Sequence, residues 1–215
     1  MINWDWNHAN DLEIRMAPQV QAHPTKVGSV KPVRDPNNVR QGACASKSYL
    51  WSKRCLQNGA PPATRQTLDG DKTTGLGLTQ HSIATQALQS FVQRQTAQYG
   101  YNPLIWNQQV SAGHGLTVAS VGAGGAGDHG GWLDMAIGTS DVVRPSLKGP
   151  YVITVWGPTY FHSMALYSDF QCSFFDPEKG QFSYPRSEFR AKALEFLGAD
   201  YPGLEGWDLW KPKLS

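Results

Sequence analysis

Cys44 follows Gln41, Gly42 and Ala43 and opens a segment with helical signals. A thiolate at a helix start meets unpaired N–H groups and the positive end of the dipole, and both lower its pKa. Gly42 is small enough to let a substrate backbone approach. His162 stands in a run that alternates like a strand. Asp176 stands at the end of the next such run, directly before Pro177. Two adjacent antiparallel strands bring positions 162 and 176 within side-chain reach. Together the three residues fit one chemistry. The imidazole takes the thiol proton, and the carboxylate fixes the imidazole tautomer and stabilises its charged form. Singly, each has an ordinary explanation. A free cysteine is most often a small buried hydrophobe, a strand histidine is commonly structural, and Asp before Pro-x-x-Gly is a turn former. Their joint order is what points to a thiol hydrolase.

The elements that must hold these residues are legible in part. A helix is expected over 43–57, stopped by Asn58-Gly59, with a polar loop over 60–76. A second helix is expected over about 79–97, where Ile83, Ala87, Leu88, Phe91 and Val92 recur at helical spacing. Residues 103–121 read as a short strand or two. The run Gly122–Gly131 holds six glycines in ten residues and reads as a flexible loop. It lacks the Gly-Lys-Ser/Thr of a phosphate-binding loop. Strands follow at Tyr151–Trp156, Tyr160–Tyr167, Gln171–Phe175 and Gln181–Tyr184, the last two joined by the turn Asp176-Pro177-Glu178-Lys179-Gly180. Ser187 is expected to cap a last helix with Phe189, Ala193, Phe196 and Leu197 on one face. Trp207 and Trp210 are expected to pin the C-terminal tail. Helices first, sheet second and a closing helix make an α+β layout, with a sheet of about four to five antiparallel strands.

Composition bounds the rest. The 215 residues are 40% hydrophobic and 17% charged, which suits one domain with a packed core. Pro18, Pro24, Pro32 and Pro36 punctuate an irregular start, so residues 1–37 read as an extended arm or linker and 38–215 as the domain. A net charge of +2 without basic runs gives no footprint for nucleic acid. No stretch approaches the roughly 18 apolar residues of a membrane span. The start lacks the pattern of a signal peptide. Three cysteines are too few and too odd for a disulfide framework and point to synthesis in a reducing compartment. On one helix, Cys44 and Cys55 would stand roughly 16 Å apart, too far to bridge. His114, Asp128 and His129 lie in or beside the glycine-rich run without metal-site spacing, so no metal is expected. Cys172 reads as packing, and His8, His23 and His81 as solvated.

Three segments resemble the YopT/AvrPphB group of papain-like effector proteases: Gly42-Ala43-Cys44-Ala45-Ser46 with Trp51 seven positions on, His162-Ser163-Met164-Ala165-Leu166, and Phe174-Phe175-Asp176-Pro177-Glu178-Lys179-Gly180-Gln181-Phe182. The last is the most specific, with Glu178 where the group usually has Asn. The resemblance extends over about 38–197, and residues 60–150 match nothing in the group. It implies a papain-like fold, a Cys44-His162-Asp176 triad and no metal or organic cofactor. It also implies manufacture in a bacterial cytoplasm, secretion without a classical signal peptide, and action on a protein substrate inside a target cell. An immunity protein or a secretion chaperone would be the partners of such a life. One oxyanion donor is expected to be the Cys44 backbone N–H. Asn38, six residues upstream, is at the papain-like spacing for the second, and Gln41 is the runner-up; Asp35-Pro36-Asn37-Asn38 also reads as a plain turn.

Other readings of the same residues stay open. The triad could act on a Gln or Asn side chain as a deamidase or transglutaminase-like toxin. A wall amidase of the NlpC/P60 kind also pairs a helix Cys with a strand His. From a different class, a degenerate site on a protein-binding module would need the three residues to coincide by chance.

Overall fold

The computed structural model describes residues 2–4, 44–61, 102–139, 144–157, 160–177 and 179–215. In chain order the elements are β1 (Ile2–Trp4), α1 (Cys44–Asn58), α2 (Pro103–Ala112), β2 (Leu116–Gly125) and α3 (Gly131–Ile137). A 3₁₀ turn at Pro145–Leu147 leads to β3 (Gly149–Gly157), β4 (Tyr160–Ser168), β5 (Gln171–Asp176), β6 (Gly180–Pro185), α4 (Arg186–Asp200) and β7 (Gly206–Leu214). All strands join one antiparallel sheet in the order β1-β6-β5-β4-β3-β7-β2.

Strand alternation sends neighbouring residues to opposite faces, and each face has its own core. Val152, Ala165 and Phe175 pack under α1 and α2 with Tyr49, Trp51, Trp106 and Val110. Tyr151, Ile153, Val155, Met164, Leu166 and Phe174 pack under α3 and α4 with Trp132, Leu133, Phe189 and Leu197. The result is the expected α+β class: a sheet between two helical layers.

Several expectations need correction. The sheet has seven strands among the described residues: β1 and β7 were not expected, and β2 comes from the end of the stretch read as a short strand or two. The chain does not end on the closing helix. After α4 it returns as β7, between β3 and β2, so Trp207 and Trp210 belong to the sheet rather than to a pinned tail. Pro212 disguised this strand. It lies beyond the β3 pairing, which ends at Val152↔Trp210, and it borders only Val118 of β2, where a missing N–H is tolerated.

Residues 103–112 are helix rather than strand. Asn102 accepts bonds from Leu104 N and Ile105 N at 3.1 and 3.2 Å, and Pro103 fills the first helical position. Four residues of the glycine-rich run, Gly122–Gly125, are strand rather than loop. A Cβ at Gly122 would collide with Met135, and one at Gly124 with the Trp207 indole, so these glycines serve close packing. Arg186, not Ser187, begins α4, and Pro185 precedes it with no side-chain cap bond. From the expected arm, Ile2–Trp4 pairs with β6. The helix expected over about 79–97 lies outside the described residues, as does residue 38, where the domain was expected to begin.

Candidate active site

Cys44 is the first residue of α1. Ser48 and Trp51 follow at four and seven positions, so one helix face carries all three. The Ser48 hydroxyl donates to the Ser163 carbonyl at 3.0 Å, right beside His162. Trp51 Nε1 donates to Gln181 Oε1 at 2.8 Å, and its ring stacks on Phe175 at 5.5 Å, right beside Asp176. The face that carries the thiol is therefore docked once against the histidine strand and once against the aspartate hairpin.

The strands supply the other two groups. Their pairing runs Tyr167↔Ser173, Leu166↔Phe174, Ala165↔Phe175, so one step further sets Asp176 opposite Met164. His162 is two residues beyond Met164 on the same face, a diagonal neighbour of Asp176. His162 Nε2 and Asp176 Oδ1 are 3.2 Å apart. The β5–β6 turn fixes the end of that strand. Lys179 N donates to Asp176 O at 3.2 Å, and Gly180 takes a φ of 115°, which favours glycine.

The site is nearly dry. Cys44 is 6% exposed, His162 5% and Asp176 0%. Burial alone would depress the His162 pKa. It is outweighed by the charge and hydrogen bond of Asp176, then by the hydrogen bond and charge of Cys44, and the imidazole is held well above its ordinary value. With Nε2 turned to Asp176, the nitrogen left for the thiol is Nδ1. The arrangement can therefore hold an imidazolium between a carboxylate and a sulfur.

No family model matches the chain, and no curated protein does. Among solved structures there is a match. Its fold is similar to that of the Pseudomonas avirulence protein AvrPphB. The TM-score is 0.55 at 14% identity, over 81% of this chain and 93% of that one. At that identity the AvrPphB likeness shows a shared papain-like fold.

Tyr201 was missed by sequence reasoning. It follows α4, its hydroxyl donates to Asp176 Oδ2 at 2.5 Å, and its ring stacks on His162 with centroids 5.1 Å apart. The only signal was an aromatic residue at a helix end before Pro202-Gly203, which by itself names no partner.

The expected oxyanion residues Asn38 and Gln41 lie outside the described residues. Among those described, no three His, Cys, Asp or Glu side chains gather as metal ligands, and no helix is long and apolar enough to cross a membrane. Asp128 accepts from Gly131 N at 2.8 Å, and its carbonyl accepts from Trp207 Nε1 at 2.7 Å, which ties the loop before α3 to β7. The His129 carbonyl accepts from Trp132 Nε1 at 3.2 Å, and buried His114 offers its carbonyl to Lys53 Nζ at 2.7 Å. Cys55 and Cys172 are buried free thiols whose pKa values are pushed up, chiefly by desolvation.

Proposed function

We propose that this chain is a cysteine protease of the papain-like kind, with Cys44 as nucleophile, His162 as general base and acid, and Asp176 as the group that orients His162. The observation that carries this is the buried imidazole 3.2 Å from the Asp176 carboxylate, where Asp176 and then Cys44 outweigh burial and raise its pKa. The fold shared with an avirulence protein and the motif resemblance to effector proteases support a secreted bacterial effector or toxin acting on a protein of the cell it enters.

His162 holds the Cys44 proton in a thiolate–imidazolium pair, and the sulfur attacks a peptide carbonyl carbon. The Cys44 backbone N–H receives the oxyanion, with Asn38 as the second donor on sequence grounds. His162 then protonates the leaving amine as the C–N bond breaks, leaving a thioester. Water, deprotonated by His162, cleaves that thioester and frees the acid and the thiol.

The test is mass spectrometry of target-cell lysate treated with wild type or Cys44→Ala. New peptide N-termini that appear with wild type and vanish with Cys44→Ala are the expected result. A gain of about one dalton on Gln or Asn side chains, without backbone cuts, would reassign the same triad to deamidation. Cleavage retained by Cys44→Ala would remove Cys44 from the mechanism.

A further inference from the structure

Tyr201 N donates to Leu197 O at 2.9 Å, which closes the last turn of α4, and Gly203 at φ 72° lets the chain turn away. The side chain then makes two contacts with the site. Its hydroxyl donates to Asp176 Oδ2 at 2.5 Å, while Asp176 Oδ1 faces His162 Nε2 at 3.2 Å. Its ring lies 5.1 Å from the imidazole and 16° from parallel. Phe196 packs behind it at 6.1 Å, and Tyr201 itself is buried.

A carboxylate engaged at both oxygens cannot rotate without breaking a bond. The short O–H···O⁻ contact belongs to the strong, charge-assisted class. The aromatic face favours a cationic imidazole beside it and keeps water from the Asp176–His162 bond. We propose that Tyr201 is a positioning residue of the site: its hydroxyl locks Asp176 against His162, and its ring shields the pair and favours the imidazolium. The proposal rests on the thiol–imidazole function given above. Among the described residues, the groups bearing on His162 are Cys44 from α1, Asp176 from β5 and Tyr201 from the end of α4.

If Tyr201 acts through Asp176, removing its hydroxyl matters only while the carboxylate is there to be held. The experiment compares wild type, Tyr201→Phe, Asp176→Asn and the double variant, all in the full chain. Two quantities are read: the His162 titration from ring-proton NMR of the native signal, and the pH profile of Cys44 alkylation by iodoacetamide. Tyr201→Phe should move the His162 titration to lower pH and slow alkylation at pH 6 roughly tenfold, the lower end for a hydrogen bond to a charged group. The double variant should match Asp176→Asn alone.

A merely structural tyrosine would lower thermal stability and leave the native His162 titration where it was. An unmoved titration, or effects that add in the double variant, would overturn the proposal. The NMR arm also separates this failure from that of the function. If wild-type Cys44 alkylates like an ordinary thiol, the protease reading falls. A titration moved by Tyr201→Phe would still support the tyrosine's hold on Asp176, and an unmoved one would overturn it.

Discussion

Replacing Asp176 by Asn removes one charge from a buried pair and little else. At 3.2 Å and an effective dielectric of about 20, the attraction between the two charges is about 5 kcal/mol before desolvation is subtracted. In the wild type, the His162 pKa is raised on folding. Its stabilising contribution is therefore fully present below the unfolded value of 6.5 and is lost as pH rises through the folded value. In the Asn variant, burial acts without its main opponent and depresses the histidine. The sign reverses: stability is then lost as pH falls below 6.5. The gap between the two proteins opens as pH falls through the raised wild-type pKa and widens further below 6.5. It should reach about 3–5 kcal/mol near pH 5, the range for breaking a buried pair. As pH rises through the raised wild-type value and the imidazole becomes neutral in both, it should shrink toward about 1 kcal/mol, the value of one altered hydrogen bond. Urea unfolding at pH 5, 7 and 9 measures it. A gap constant across that range would refute the claim that Asp176 sustains an imidazolium.

Three further outcomes are expected. Ser48→Ala loses the bond to Ser163 O and should cost about 1 kcal/mol in urea unfolding while slowing Cys44 alkylation, with Cys55 and Cys172 unchanged; an unaltered Cys44 rate would mean that Ser48 does not set the helix start. Mass mapping of brief iodoacetamide labelling at pH 6 should find Cys44 modified well before Cys55 and Cys172, whose thiols are buried and shifted upward. Equal labelling of all three would argue against an activated pair. Gly124→Ala drives a methyl into the Trp207 indole and should lower stability by about 1–3 kcal/mol, visible as a lower Tm with blue-shifted or broadened tryptophan fluorescence; an unchanged Tm would show that β2 has room to move.

What the sequence disclosed follows from the range over which each signal acts. His162 and Asp176 sit on consecutive strands joined by a tight turn, so period-two alternation and one register placed them together. Cys44 could be assigned to a helix start but not brought to His162. That juxtaposition depends on Ser48 and Trp51 finding partners far along the chain. Tyr201 was illegible for a related reason: its partner lies 25 positions back, across a whole helix. Composition misled at β2 and β7. Glycine marks both flexible loops and close packing, and only Met135 and Trp207 in place tell the two apart. At α2, the Asn102-Pro103 pair carried a readable cap that the apolar residues after it obscured.

The docking of α1 also bears on when the site comes into being. Its two anchoring bonds span 115 and 130 positions, so neither forms until nearly the whole domain has closed on itself. No fragment or partly folded chain can present the thiol to the imidazole. During synthesis, and in any unfolded passage, Cys44 is chemically an ordinary cysteine. Reactivity and native structure should arrive in the same kinetic phase, and fast alkylation at pH 6 then becomes a stopwatch for complete folding.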